Sequence, residues 1–220
     1  MIKKMTGAIL LMLASTGFLF AQKEKDKKEE EQRTFKENLF TGGSLTASFF
    51  NGATILGVNP HFGYKISNWI DAGIVANYTY GGQRDVYEID DKYRQNIYGG
   101  GLFTRIYPAR MVFVQAQFEH NYTHLNYKPT PGSLYYSPYK ETFEANSLLV
   151  GAGIAQDRDP GSNTFFYLSL LIDVLKKQNS PYVDLVYNPN TNSYSVRALP
   201  IIRGGVNIGL FEGGGRKKRR

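Results

Sequence analysis

Ile201-Ile202-Arg203-Gly204-Gly205-Val206-Asn207-Ile208-Gly209-Leu210-Phe211 is the stretch whose reading decides the fold. Its apolar residues alternate with small or polar ones, the period of a strand with one face in apolar surroundings. At its other end the chain opens as an export signal does. Lys3 and Lys4 form a positive start, Ala8 to Phe20 a mostly apolar run, and Ala21 a small residue where a peptidase could cut. Leu19 is larger than the usual A-x-A pattern at that point has. The run is shorter than the ~20 residues a helix needs to span a bilayer, so residues 1–21 are expected to be a cleaved signal peptide. In an exported chain, this alternation fits a strand with one face on lipid and the other on a barrel interior.

The composition narrows the alternatives. With no cysteine, neither a disulfide nor a lipid on a cysteine can hold the protein. The segment after residue 21, about 199 residues long, suits one domain. The longest apolar run after the leader is Leu148 to Ala155, far short of a helical span. The net charge of +7 resides at the chain ends. Lys3, Lys4 and the cations of 216–220 account for seven of the 26 basic residues, and Glu212 for one of the 19 acidic ones. That leaves 19 and 18 over residues 22–211, hence no basic face and no expectation of nucleic acid as a partner. Residues 22–41 carry six charges of each sign between Lys23 and Glu37 and read as a charged periplasmic linker. Residues 212–220, ending Arg216-Lys217-Lys218-Arg219-Arg220, read as a basic flexible tail able to touch anionic lipid or a periplasmic partner.

Between these ends, residues 42–211 show a period of two. Eight strands are expected, over residues 43–50, 54–66, 69–80, 95–107, 110–122, 143–156, 164–175 and 199–211. Most reach the 9–11 residues with which a tilted strand crosses a membrane. Asn51-Gly52 suits a type I′ hairpin. Ser67-Asn68 and Pro108-Ala109 are as short, and 157–163 is also short. By contrast, 81–94, 123–142 and 176–198 are long, polar and tyrosine-rich, with Tyr182–Tyr187 and Tyr194–Arg197 able to pair as a hairpin within the last. The second, fourth and sixth connections are thus all short, while three of the four at the opposite end, all but Asn51-Gly52, are long, which is the asymmetry of outer-membrane barrels.

Parity assigns the faces. Leu56, Val58, Phe62, Ile74, Val112, Val114, Phe118, Leu168, Leu170, Ile202, Val206, Ile208 and Leu210 fall on one continuous apolar face. Lys65, Asp71, Arg105, Glu119, Asp173 and Arg203 fall on the other, three acids and three bases, as a paired interior polar network requires. Inward glycines, among them Gly57, Gly73, Gly99, Gly101, Gly151 and Gly205, either leave room for a narrow channel or let the strands of a small barrel coil together. Phe49, Phe50, Trp69, Tyr78, Tyr80, Tyr98, Tyr107 and Tyr122 lie near strand ends and are expected to form two interfacial girdles.

The leader, eight strands with alternating loop lengths, and a last strand ending in Phe211 resemble the small outer-membrane β-barrels of Gram-negative bacteria, of the OmpX and OmpW kind. The resemblance spans roughly residues 40–211. It implies an all-β fold, an eight-stranded antiparallel up-and-down transmembrane β-barrel, in the outer membrane with both termini in the periplasm. It further implies outer-membrane lipid and the barrel-assembly machinery as partners, with Phe211 as the terminal-strand aromatic that machinery reads. The chain departs from that pattern by continuing to Arg220.

Chemistry is sparse. Asp157-Arg158-Asp159-Pro160-Gly161-Ser162-Asn163 has a calcium loop's opening, but Leu168 stands where the closing glutamate belongs, so a plain turn is expected. His61, His120 and His124 are the only histidines. Pairs such as His120 with Ser169 or His61 with Ser48 would suit a lipid-modifying enzyme, but no motif fixes either. No catalytic residue, metal ligand or cofactor site is therefore expected. Three functions stand in order: a structural or interaction role through outer loops bearing Tyr87, Tyr93, Tyr127, Tyr135, Tyr136 and Tyr139; a narrow pore or carrier for small solutes; and a lipid-modifying enzyme.

Overall fold

The computed structural model describes residues 35–50, 53–159, 162–189 and 192–211. The expected signal peptide, most of the charged linker, the Asn51-Gly52 turn residues and the basic tail lie outside them. After a 3-10 turn (Phe35–Asn38), the strands are β1 (Leu39–Phe50), β2 (Ala53–Ser67), β3 (Ile70–Arg84), β4 (Lys92–Ala109), β5 (Val112–Lys128), β6 (Tyr139–Gln156), β7 (Phe165–Asp173), β8 (Val183–Asn188), β9 (Ser193–Ala198) and β10 (Ile201–Gly209). Eight of these close into one antiparallel barrel in the order β1-β10-β7-β6-β5-β4-β3-β2, while β8 and β9 form a separate hairpin. Closure joins the two ends of the chain's folded part, with Gly42 opposite Asn207 and Ala47 opposite Ile202. The final strand quoted above is thus the eighth barrel strand, flanked by β1 and β7.

Three boundaries differ from expectation. β1 begins at Leu39, three residues before residue 42, because Leu39 and Phe40 find partners in Tyr64 and Gly63. β3 to β6 run on into segments expected to be loops, so only 85–91 and 129–138 connect them there. Polar composition suggested loops, but tyrosines and threonines suit strands beyond the membrane as well as within it. β10 ends at Gly209; Leu210 N–H still donates to Leu39 C=O (3.1 Å), and Phe211 follows, exposed.

The alternation holds on every barrel strand. β5 reads Val112, Val114, Phe118 outward and Phe113, Gln115, Gln117, Glu119, Asn121 inward. Ile74, Leu102, Phe118, Ile154, Phe166, Leu168, Leu170 and Ile202 are all exposed on the outer face. An apolar belt around a closed barrel has no counterpart on a soluble monomer, whose largest exposed patch is a few hundred Å². The interior is less uniformly polar than parity predicts. Tyr107, Phe113, Ala155, Phe165 and Tyr167 form a buried cluster near the short-turn end, and Leu149, Leu171, Tyr182 and Ile201 another near the long-loop end. Tyr107, expected in a girdle, therefore points inward (3 % exposed), whereas Trp69, Tyr78, Tyr80, Tyr98 and Tyr122 lie outside.

Candidate functional site: the sealed barrel interior and its outer loops

All six charged residues assigned to the interior are buried. Glu119 is the hub. Its carboxylate accepts from Arg203 Nη2 (3.0 Å), Tyr182 OH (2.7 Å), Asn121 Nδ2 (3.1 Å) and Gln117 Nε2. Gln117 in turn accepts from Gln115 (2.7 Å), which accepts from Arg105 Nε (2.9 Å). Arg105 Nη1 also donates to Asn207 Oδ1 (3.1 Å), which His61 Nε2–H reaches at 2.9 Å. The guanidinium of Arg105 lies over Tyr167 (4.1 Å to the centroid) and beside Phe103 and Phe113, a cation held among ring faces rather than by a carboxylate. Asp173 accepts from Ser180 Oγ (2.6 Å) and from the Leu148 and Leu175 N–H groups (3.1 Å each). Lys65 and Asp71 are cross-strand partners, and Asp71 is opposite Arg105 on its other side. Of the expected pairings, Arg203 with Glu119 is a direct ion pair.

Two groups in this network escaped the sequence. Arg158 lies in the turn read as ordinary. With Asp157 at φ 60°, a conformation aspartate tolerates, its side chain is buried at the short-turn end. There it donates to Asn68 C=O (3.0 Å), stacks on Tyr107 (3.6 Å) and approaches Asp71 (3.6 Å). Tyr182 belongs to the connection 174–200, read from the sequence over residues 176–198 as a long polar outer loop of the barrel. Instead Ser180 and Tyr182 turn into its mouth. No periodicity marks either; an arginine between two aspartates and a Ser-Pro-Tyr turn are ordinary loop chemistry. One is buried at the short-turn end and the other at the long-loop end. The interior cavity beside His61, Arg105 and Arg203 measures about 10 Å³, and that under Tyr182 about 20 Å³, each near the room one water needs.

The histidines are dispersed. His61 is luminal and bound to Asn207. His120 and His124 face outward, bonded to Asn146 and Thr142 (2.7 Å each). Ser169 faces inward on β7, where it donates to Arg203 C=O, so His120 does not reach it. Ser48 is opposite Ile55 while His61 is opposite Gly42, six residues along the same strand pair.

Outside the membrane-spanning part, connections 85–91 and 129–138 are tied into one apex. Buried Asp91 accepts from the N–H groups of Val86 (2.7 Å), Tyr87 (2.8 Å) and Glu88 (3.0 Å) and from Tyr127 OH (3.1 Å). Ser133 donates to Glu88 (2.9 Å), Thr130 to Ile89 C=O, and the Tyr87 and Tyr136 rings stack at 5.4 Å. Tyr127, expected to face a partner, is instead fully buried as this apex's pillar, and Tyr93 and Tyr139 are half-buried in strands beside it. Of the apex's large apolar side chains, Ile89 (81 %), Leu134 (92 %) and Tyr135 (87 %) are the most exposed, and Tyr87 and Tyr136 also remain exposed.

Desolvation acts to raise the Asp91 carboxyl, but the three N–H donors and the Tyr127 hydroxyl outweigh it and hold the group below the usual carboxylate range. A depressed folded-state value stabilises the apex above about pH 3.9, the ordinary value, and the benefit fades as pH falls through the lower folded one. The apex is therefore expected to stay intact at neutral pH and loosen only in strong acid. Proton NMR of the Tyr87 and Tyr127 rings against pH checks this; loosening between pH 7 and 5 would contradict it.

A closed ring of eight antiparallel strands, apolar outside and polar within, defines a small transmembrane β-barrel. Solved structures to which the chain is similar include the attachment invasion locus protein Ail of Yersinia pestis in complex with the heparin analogue sucrose octasulfate (10% identity, TM-score 0.41, covering 77% of this chain and 96% of that one). The N-terminal β-barrel domain of Pseudomonas aeruginosa OprF (13%, 0.39, 78% and 96%) and Neisserial surface protein A (13%, 0.42, 78% and 96%) are similar to the same extent. No family model and no curated protein matches the chain. At such scores the likenesses add nothing to the assignment, which rests on the ring, the belt and the filled interior.

Proposed function

We propose that this chain is an integral outer-membrane β-barrel protein, both termini in the periplasm, which acts without catalysis by presenting a rigid outer-loop apex to a surface partner. The observation that carries this reading is the pair of loops fastened to each other through Ser133 with Glu88 and Thr130 with Ile89, and to β5 through Asp91 with Tyr127, with Ile89, Leu134 and Tyr135 held outward. Fixing a loop in advance lowers the entropy cost of binding, and large exposed apolar side chains on a fixed support mark interaction sites. The export-type leader, the apolar belt and the short turns at the end where Leu39 meets Leu210 support the membrane and the orientation. Outer-membrane lipid and the assembly machinery that would read Phe211 are the partners this life cycle requires.

The alternative, a narrow pore or carrier, is disfavoured by the small size of the cavities beside Arg105 and beside Tyr182, about 10 and 20 Å³ among the described residues. Planar-bilayer recording separates the two, with no discrete conductance steps expected from the folded chain. In parallel, a photoreactive side chain at position 137, exposed in the same connection, should crosslink a surface partner on intact cells. The combined Ile89→Ser, Leu134→Ser and Tyr135→Ser changes should abolish that crosslink while leaving the barrel folded. Steady conductance steps, or crosslinking unaffected by the triple change, would overturn the reading.

A further inference from the structure

The lysines and arginines on the outward faces of the barrel strands are gathered on one half of the ring. Arg94 and Lys140 flank Asn126 in one row across β4, β5 and β6. Arg84, Lys92 and Lys128 form the next row toward the long loops, across β3, β4 and β5. All five are exposed. The outward residues of β1, β2, β7 and β10, the other half, include no lysine or arginine among the described residues. Nor has any of the five a carboxylate within salt-bridge distance among the described residues. The acids nearby are engaged elsewhere, face away or stand in the loop. In the connection 85–91, Asp91 holds the apex, Asp85 accepts from Asp90 N–H (2.7 Å), Glu88 accepts from Ser133, and Asp90 is exposed. Glu141 has the inward parity of β6, and Glu144 lies two rows below Lys140, beside His120 (3.6 Å).

The height of these rows on the barrel says what meets them. Tyr78, Tyr98 and Tyr122 share an exposed aromatic row, the kind that marks a membrane interface. On β4 that row is eight residues from Ile106, at the short-turn end. At about 3.3 Å per residue and a tilt of 35–45°, this is a rise of roughly 20 Å, close to the ~25 Å of a barrel's apolar belt. Arg94 is four residues past Tyr98 on the same strand, roughly 10 Å higher by the same reckoning. That is the level of lipid headgroups, not of acyl chains. Cations crowded into two adjacent rows repel one another until an anion sits among them. The Arg84 and Arg94 guanidiniums offer forks that match phosphate oxygens, and the lysines beside them add point charges. A sugar or a zwitterionic headgroup brings no net negative charge to this site; a phosphate monoester does.

We propose that the outward rows of Arg84, Lys92, Arg94, Lys128 and Lys140 bind the phosphates of an outer-leaflet lipid and hold it against this half of the barrel. This rests on the membrane reading above. The test uses the full chain folded into phosphatidylcholine nanodiscs carrying either diphosphoryl lipid A or its monophosphoryl form, each at a few mole per cent. After transfer to detergent, native mass spectrometry counts the lipid retained per barrel. Wild type should retain the diphosphoryl form about five-fold over the monophosphoryl one, roughly the gain of one basic residue near an anionic surface. Arg94→Gln/Lys140→Gln should lose that preference. Lys176→Gln/Lys177→Gln, which removes equal charge from the exposed start of the 174–200 connection, should keep it. Arg94 and Lys140 are exposed and form no ion pair among the described residues, so heat-modifiable gel mobility should show the variant folded. If it does not, Lys92→Gln/Lys128→Gln takes its place. Equal retention of both forms, a preference that survives in a folded variant, or one lost equally in the Lys176/Lys177 control overturns the proposal. So does retention competed away by millimolar inorganic phosphate at fixed ionic strength, which would mean a soluble-anion site. A chain that never inserts overturns the membrane reading itself; an inserted barrel indifferent to the second phosphate overturns this inference alone.

Discussion

Replacing Glu119 with alanine should lower the stability of the barrel by about 3–5 kcal/mol, the cost of leaving one member of a buried ion pair unpaired. Arg203 is 2 % exposed and has Glu119 as its only carboxylate within salt-bridge distance among the described residues. The same carboxylate also accepts from Tyr182, Asn121 and Gln117, so its removal leaves donors from β4's neighbour β5, from β10 and from the 174–200 connection facing an empty site. Unsatisfied buried donors add their own desolvation cost. Urea titration of the folded barrel in lipid vesicles, scored by gel mobility, measures the change. The paired replacement Glu119→Leu with Arg203→Met should recover much of it, since a removed pair leaves no lone charge. A single-variant loss under about 1 kcal/mol would mean water reaches Arg203 and the interior is not sealed as described.

The same hub shows how far the sequence could be read. Glu119 and Arg203 were assignable to the interior because each occupies the polar parity of a strongly alternating strand. Parity says which wall a side chain leaves, not how far it reaches, so the ion pair across 84 residues was beyond it. Arg105 illustrates the limit differently: charge balance suggested a carboxylate partner, yet its neighbours are Gln115, Asn207 and three aromatic rings. Inward Phe103, Phe113 and Tyr107 sit at positions where alternation predicts only polarity. Arg158 and Tyr182 come from connections, where no period exists to be read. Strand lengths were underestimated at the outer end because Thr, Tyr and Asn in residues 123–128 carry no apolar alternation once the lipid belt has been passed.

Adding a single methyl at Gly101 should destabilise the barrel by about 3 kcal/mol, near the upper end of ordinary overpacking costs. A Cβ there would lie 1.7 Å from Phe118 C=O and 2.9 Å from Glu119 Cα, so the contact is with the backbone of β5, which cannot rotate away. Gly151 stands in the same relation to β7, 1.9 Å from Leu170 C=O. Eight tilted strands force neighbouring backbones together where the sheet coils most tightly, and a residue without Cβ is what lets them pair there. Gly101→Ala should therefore weaken the β4–β5 seam, lowering the urea midpoint and the temperature at which gel mobility changes. Gly204→Ala is the control: its Cβ meets only Leu168 Cδ1 at 3.8 Å, and a change within about 0.5 kcal/mol is expected. The comparison also decides between the two meanings of the inward glycines. Glycines lining a channel would tolerate a methyl in stability and register it in conductance, whereas glycines set by close approach of strands lose stability with no current to alter. Equal stability of Gly101→Ala and Gly204→Ala would refute the close-approach account and return the inward glycines to the channel reading.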